Sequence, residues 1–158
     1  MKKINYLLGV FGLTICFFSA FSGIANAWWT IFPTSFEMHY GTHIGGTLFD
    51  LNTKNEGGTM DFQQSAYCLT IRFEWPGNVR CSSLDFKFTD TVSGGWLNVH
   101  IIYEEWWVPR QDIGYLGDGD HHLGLWSAWK VNYVEVVLYN FFIWNQKVFI
   151  DYLALNTV

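Results

Sequence analysis

From Tyr67 to Trp75 the chain alternates one residue at a time, with Tyr67, Leu69, Ile71, Phe73 and Trp75 set against Cys68, Thr70, Arg72 and Glu74. Side chains at every second position share a face only in an extended strand, so this segment can bury one side of a sheet but not one side of a helix. The pattern recurs. Leu84, Phe86 and Phe88 alternate with Asp85, Lys87 and Thr89, and Leu97, Val99, Ile101 and Tyr103 alternate with Asn98 and His100. Val134, Val136 and Leu138 form another run, and Val148, Ile150 and Tyr152 a last. Helical spacing is nearly absent.

Turn residues punctuate these runs at Gly45-Gly46, Gly57-Gly58, Pro76-Gly77-Asn78, Ser93-Gly94-Gly95 and Gly117-Asp118-Gly119-Asp120. Many short strands broken in this way predict an all-β chain folded as a β-sandwich or barrel. The Pro76-Gly77-Asn78 signal predicts a hairpin, with a return strand starting near Ser83. The stretch from Glu104 to Leu125 lacks clear alternation and reads as a long irregular segment, which in a compact domain points to function or disorder.

Residues 1–27 read as a secretory leader, with Lys2 and Lys3 ahead of an apolar run from Tyr6 to Phe18 and an Ala25-Asn26-Ala27 ending. The run is shorter than the roughly 20 residues of a membrane span. Bulky Ile15 before Cys16 argues against a lipoprotein cleavage site. A single domain over 28–158, secreted and without a transmembrane segment, is the expectation. Loss of the two leader lysines takes the formal charge from −5 to −7, which disfavours nucleic acid as a partner. Two cysteines, Cys68 and Cys81, remain after cleavage, and export predicts a disulfide between them worth about 3 kcal/mol.

All nine tryptophans follow the leader, too many large rings for so small a core to hide. Trp106-Trp107 precede the polar stretch GYLGDGDHHLGLW, and Trp126 and Trp129 end or follow it. If this segment folds back, indole faces and the polar groups of Asp118, Asp120, His121 and His122 would share one surface. That mixture suits a sugar, whose C–H face stacks on an indole while its hydroxyls take hydrogen bonds. Strand alternation predicts one ring of each tryptophan pair in the core and one outside. Trp28 and Trp29 would cover a sheet edge or stand exposed.

Other chemistries fit less well. Asp118 and Asp120 could turn toward one hard cation, but His122 stands where a further oxygen ligand is wanted. His121 and His122 are adjacent and on a strand point to opposite faces, a poor zinc pair. Glu104 and Glu105 are equally ill placed as a glycosidase pair, and no G-x-S-x-G elbow occurs. His39, His43 and His100 read as ordinary half-exposed histidines. These features favour binding over catalysis, with a hydrolase or a protein-binding or adhesion domain as the rivals.

The closing segment YVEVVLYNFFIWNQKVFIDYLALNTV resembles the last hairpin of jelly-roll carbohydrate-binding modules and galactose-binding-like domains, through Val134, Val136, Leu138, Val148, Ile150, Asp151, Tyr152 and Leu155. The entry segment PTSFEMHYGTHIGGTLFDLNTKNEGGTMDF is similar to the opening of exported bacterial β-sandwich domains. The resemblance implies a jelly-roll sandwich, a glycan or glycan-bearing surface as partner, and a structural calcium held by Asp151. The early-strand ligand is left open among Glu37, Asp50 and Asp61.

Overall fold

The computed structural model describes residues 29–52, 58–65, 68–91, 97–139 and 145–158. The expected leader, Trp28, Gly57, Tyr67 and the Ser93-Gly94-Gly95 turn lie outside these residues. Ten strands follow in order: β1 (Thr30–Ile31), β2 (Ser35–Tyr40), β3 (Thr42–Gly45), β4 (Met60–Gln63), β5 (Cys68–Asp90), β6 (Leu97–Tyr103), β7 (Gln111–Leu116), β8 (Gly119–Gly124), β9 (Lys130–Tyr139) and β10 (Lys147–Thr157). One short 3-10 turn, Leu48–Asn52, follows β3. Among the described residues no helix is long and apolar enough to cross a membrane.

The strands pair antiparallel throughout and make two sheets that share β5. Sheet I runs β3-β4-β10-β5-β8, with β1 beside the far end of β10. Sheet II runs β2-β5-β9-β6-β7. Residues up to Arg80 of β5 pair in sheet II and those from Cys81 onward pair in sheet I. The alternating apolar residues of both sheets meet in one core, where Phe62 of β4 packs edge-on against Phe36 of β2 and Phe73 of β5. Burial of such rings is the main stabilising term, about 1.5–3 kcal/mol for each large apolar side chain.

Two expectations are overturned at β5. Pro76-Gly77-Asn78 does not reverse the chain; Trp75 to Asn78 bulge out opposite Asn132, between the Glu74–Tyr133 and Val79–Val131 pairs, and the strand continues. Proline has no N–H for the ladder and Gly77 takes φ +84°, so the same residues that make turns also make a bulge. The Trp75 indole N–H donates to Ile31 O at 3.0 Å and fixes the bend. Cys68 and Cys81 therefore lie on one continuous strand and are both free thiols. Cys68 pairs with Tyr139, and Arg80, next to Cys81, with Lys130, so the ten residues of β9 measure the separation, roughly 30 Å. A disulfide needs Cα atoms within about 7 Å.

The stretch from Glu104 to Leu125 is also not irregular, since it holds β7 and β8. These are edge strands of sheets II and I, paired on one side only. Gly114, Gly117, Gly119 and Gly124 interrupt the apolar alternation that buried central strands show, which is why the pattern fails there.

Candidate functional site

The seven residues expected to share a surface separate into three places. Trp106, Trp107 and Trp126 lie at one end of the sandwich. Loop 104–110, between β6 and β7, carries the first two, and the connection from β8 to β9 carries Trp126 and Trp129. The 104–110 loop is tied to β9 by Glu104 N donating to Lys130 O at 2.9 Å and by the Lys130–Glu104 ion pair at 3.3 Å. Hydrogen bonds from Asn78 and Lys130 hold the Glu104 carboxyl below its ordinary range. Trp106 and Trp107 are both outside, 89% and 65% exposed, and meet edge to face at 5.8 Å, so neither enters the core.

Trp126 lies on Tyr103, with ring centres 5.7 Å apart and planes only 9° from parallel. Trp129 closes the corner, 5.9 Å from Trp126 at 70°. The Tyr103 hydroxyl donates to Gln111 Oε1 at 2.6 Å and accepts from Trp126 N at 3.0 Å, while Gln111 Nε2 donates to Gly124 O at 2.9 Å. Burial pushes the Tyr103 phenol above its ordinary range. Pro109, Leu125, Trp126, Ser127, Ala128 and Trp129 line a cleft of about 580 Å³ at this end.

The polar residues are elsewhere. Asp118 sits in the turn at the opposite end of β8 and accepts from Asp90 N at 3.1 Å. His121 turns inward, stacks on Phe88 at 5.7 Å and meets Gly117 O at 2.7 Å. His122 turns outward and its Nδ1 lies 2.5 Å from Asp85 Oδ1. Asp120 is in register with Lys87 on the outer face of sheet I, where Lys87 is ion-paired to Asp151. The Asp151 carboxylate is ion-paired to Lys87, and among the described residues no three His, Cys, Asp or Glu side chains are grouped to hold a metal ion. Of the early candidates, Glu37 belongs to sheet II, Asp50 accepts from Thr47 N at 2.6 Å, and Asp61, in register with Phe149 of β10, accepts from the Thr59 hydroxyl.

The sequence reading missed the outward face of sheet II. There the register aligns Glu37, Arg72, Glu135, His100 and Asp112 in one row across β2, β5, β9, β6 and β7. Carboxylates alternate along it with Arg72 and His100. His100 lies 3.6 Å from Glu135 and 3.7 Å from Asp112, which also takes Arg110 at 2.8 Å. Arg72 pairs with Glu74 at 2.8 Å and stacks over Tyr133 at 3.8 Å. Although they point away from the core, the His100, Glu135 and Arg72 side chains are only 12%, 23% and 28% exposed, so they lie flat on the sheet and brace one another. Among the described residues His100 Nδ1 and Arg72 Nε are buried without a hydrogen-bond partner. Each member looks like an ordinary solvent-side residue of its strand. Only the pairing register shows that they form a row.

No protein-family model and no curated protein matches the chain. Solved structures do. A family 29 carbohydrate-binding module superposes with a TM-score of 0.57 at 12% identity, over 83% of this chain and 88% of that one. A variant of such a module complexed with mannohexaose gives 0.57 at 12%, over 83% and 92%. A low-affinity xylan-binding module of family 86 from Roseburia intestinalis gives 0.55 at 7%, over 84% and 97%. With two sheets sharing β5 around a single aromatic core, this chain has the jelly-roll β-sandwich fold of carbohydrate-binding modules.

Proposed function

We propose that the chain is a secreted, non-catalytic carbohydrate-binding module that meets its ligand through exposed aromatic and polar side chains, with the outward face of sheet II as the main surface. The observation that carries this is the Glu37–Arg72–Glu135–His100–Asp112 row. Five strands span roughly 19 Å, enough for a short oligosaccharide lying across them. Planar carboxylates and a guanidinium bond paired hydroxyls, and the mutual bracing lowers the ordering cost on binding. With Glu74 included, the face carries four carboxylates against Arg72 and Arg110, so a neutral glycan fits it and a uronate- or sulfate-rich one does not. The leader pattern over 1–27 supports secretion.

The test is retention of the mature chain on neutral polysaccharides, beside Arg72→Gln and Glu135→Gln, with thermal unfolding as a control and reducing-sugar release as a check for turnover. Retention on at least one polymer, weakened tenfold or more by each substitution and without sugar release, is expected. A folded protein that no neutral polysaccharide retains would overturn the reading and turn attention to a protein partner.

A further inference from the structure

We infer that the aromatic end is a second glycan-binding surface, separate from the face of sheet II, which makes the module bivalent. This rests on the carbohydrate-binding reading and extends it.

The occupant is set by the chemistry of the corner. Trp126 and Trp129 stand at 70° to each other, so they present two walls rather than one flat platform. A sugar ring with equatorial hydroxyls has apolar C–H faces, and one such face can lie on an indole while its edge meets the other. The cleft of about 580 Å³ falls within the range of small-ligand sites, about 300–1,000 Å³. Its charges are spent locally: Glu104 and Lys130 pair with each other, and the Tyr103 hydroxyl and Gln111 side chain are satisfied by the hydrogen bonds that pin Trp126. A neutral ring is therefore accommodated without stranding a buried charge. The corner is also built before any ligand arrives, because Trp126 is stacked on Tyr103 and held through its backbone, so little side-chain freedom is lost on binding. Trp106 and Trp107 stand exposed on the same loop that supplies Pro109 to the cleft.

The two surfaces share no side chain. The row on sheet II uses outward positions within five strands, and the cleft uses connections beyond the strand ends. Two weak sites on one rigid domain raise retention on a long polymer beyond what either achieves alone.

Titration calorimetry with the soluble hexaoses of β-1,4-linked glucose, mannose and xylose, together with tryptophan fluorescence, tests this. Trp126→Ala removes a wall; Ala128→Arg fills the exposed mouth without removing packing and serves where the first variant unfolds. The wild type is expected to take two oligosaccharides per chain with a change in indole emission. Ala128→Arg should take one, lose the emission change and bind the polymer at least tenfold more weakly, while Glu135→Gln keeps the emission change. One oligosaccharide per chain, unaffected by Ala128→Arg and abolished by Glu135→Gln, overturns the second site and leaves the proposed function intact. Binding of none of these hexaoses and no neutral polysaccharide overturns both.

Discussion

His100 stands between two carboxylates on two different strands, its Nδ1 3.6 Å from Glu135 Oε2 on β9 and its Nε2 3.7 Å from Asp112 Oδ1 on β7. It thereby fastens an edge strand to the middle of sheet II. β7 has a neighbour on one side only, so it peels away more readily than the central strand β9. Replacing His100 by Leu should raise hydrogen exchange of the β7 amides about fivefold, the equivalent of about 1 kcal/mol, while leaving those of β9 unchanged. Equal acceleration in both strands would mean that the histidine supports the whole sheet.

The two thiols should behave differently. Burial pushes the Cys81 thiol up to about 12, and its Sγ is directed at Val79 O. At pH 8 only about one Cys81 in ten thousand is then a thiolate. In the native protein a thiol reagent should label Cys68 alone, and both in guanidinium; dithiothreitol should leave the melting temperature unchanged. Stability carries the same sign. Because the folded state favours the protonated thiol, this contribution is intact below about pH 9 and is lost as pH rises from about 9 toward 12. Cys81→Ala should remove that part of the alkaline decline, read from melting curves against pH.

Gly46 and Gly77 have nearly the same backbone, φ +79° and +84°, in different surroundings. A Cβ on Gly46 would meet Thr59 O at 1.9 Å, whereas one on Gly77 meets nothing within 4 Å. Gly77→Ala should therefore cost only the left-handed penalty, about 1–2 kcal/mol. Gly46→Ala adds overpacking to it, for roughly 3 kcal/mol or more. Urea midpoints of the two variants give the comparison directly.

Asp151 is answered by Lys87, with side chains only 16% and 26% exposed. Folding stability should be the same in EDTA and in millimolar calcium. Lys87→Met leaves a largely buried carboxylate without that cation and should cost about 1–3 kcal/mol. A melting temperature that rises with calcium in the unaltered protein would show that a metal competes with Lys87.

What the amino-acid sequence determined by itself was local and periodic. β6 is legible to its ends, because Leu97 to Tyr103 sits between two neighbours and alternates without interruption. The same holds for the halves of β5 and the cores of β9 and β10, and the sum of such strands already implies a sandwich or barrel. That His121 and His122 would point to opposite faces of a strand also follows from strand period alone.

The tertiary structure decided everything that depends on which strand lies beside which. Pro76-Gly77-Asn78 satisfies a turn and a bulge equally well, and only the pairing of Glu74 with Tyr133 and Val79 with Val131 makes it a bulge, which in turn separates Cys68 from Cys81. Trp126 and Trp129 form a corner with Tyr103, from a strand more than twenty residues earlier, while Asp118 is carried to the far end of β8. Likewise Glu37, Arg72, His100, Asp112 and Glu135 become neighbours through four interstrand registers. A side-chain period constrains the face a residue occupies, but register and sheet order are set by how the apolar faces pack together across the whole chain, and it is register that brings distant polar residues into one surface.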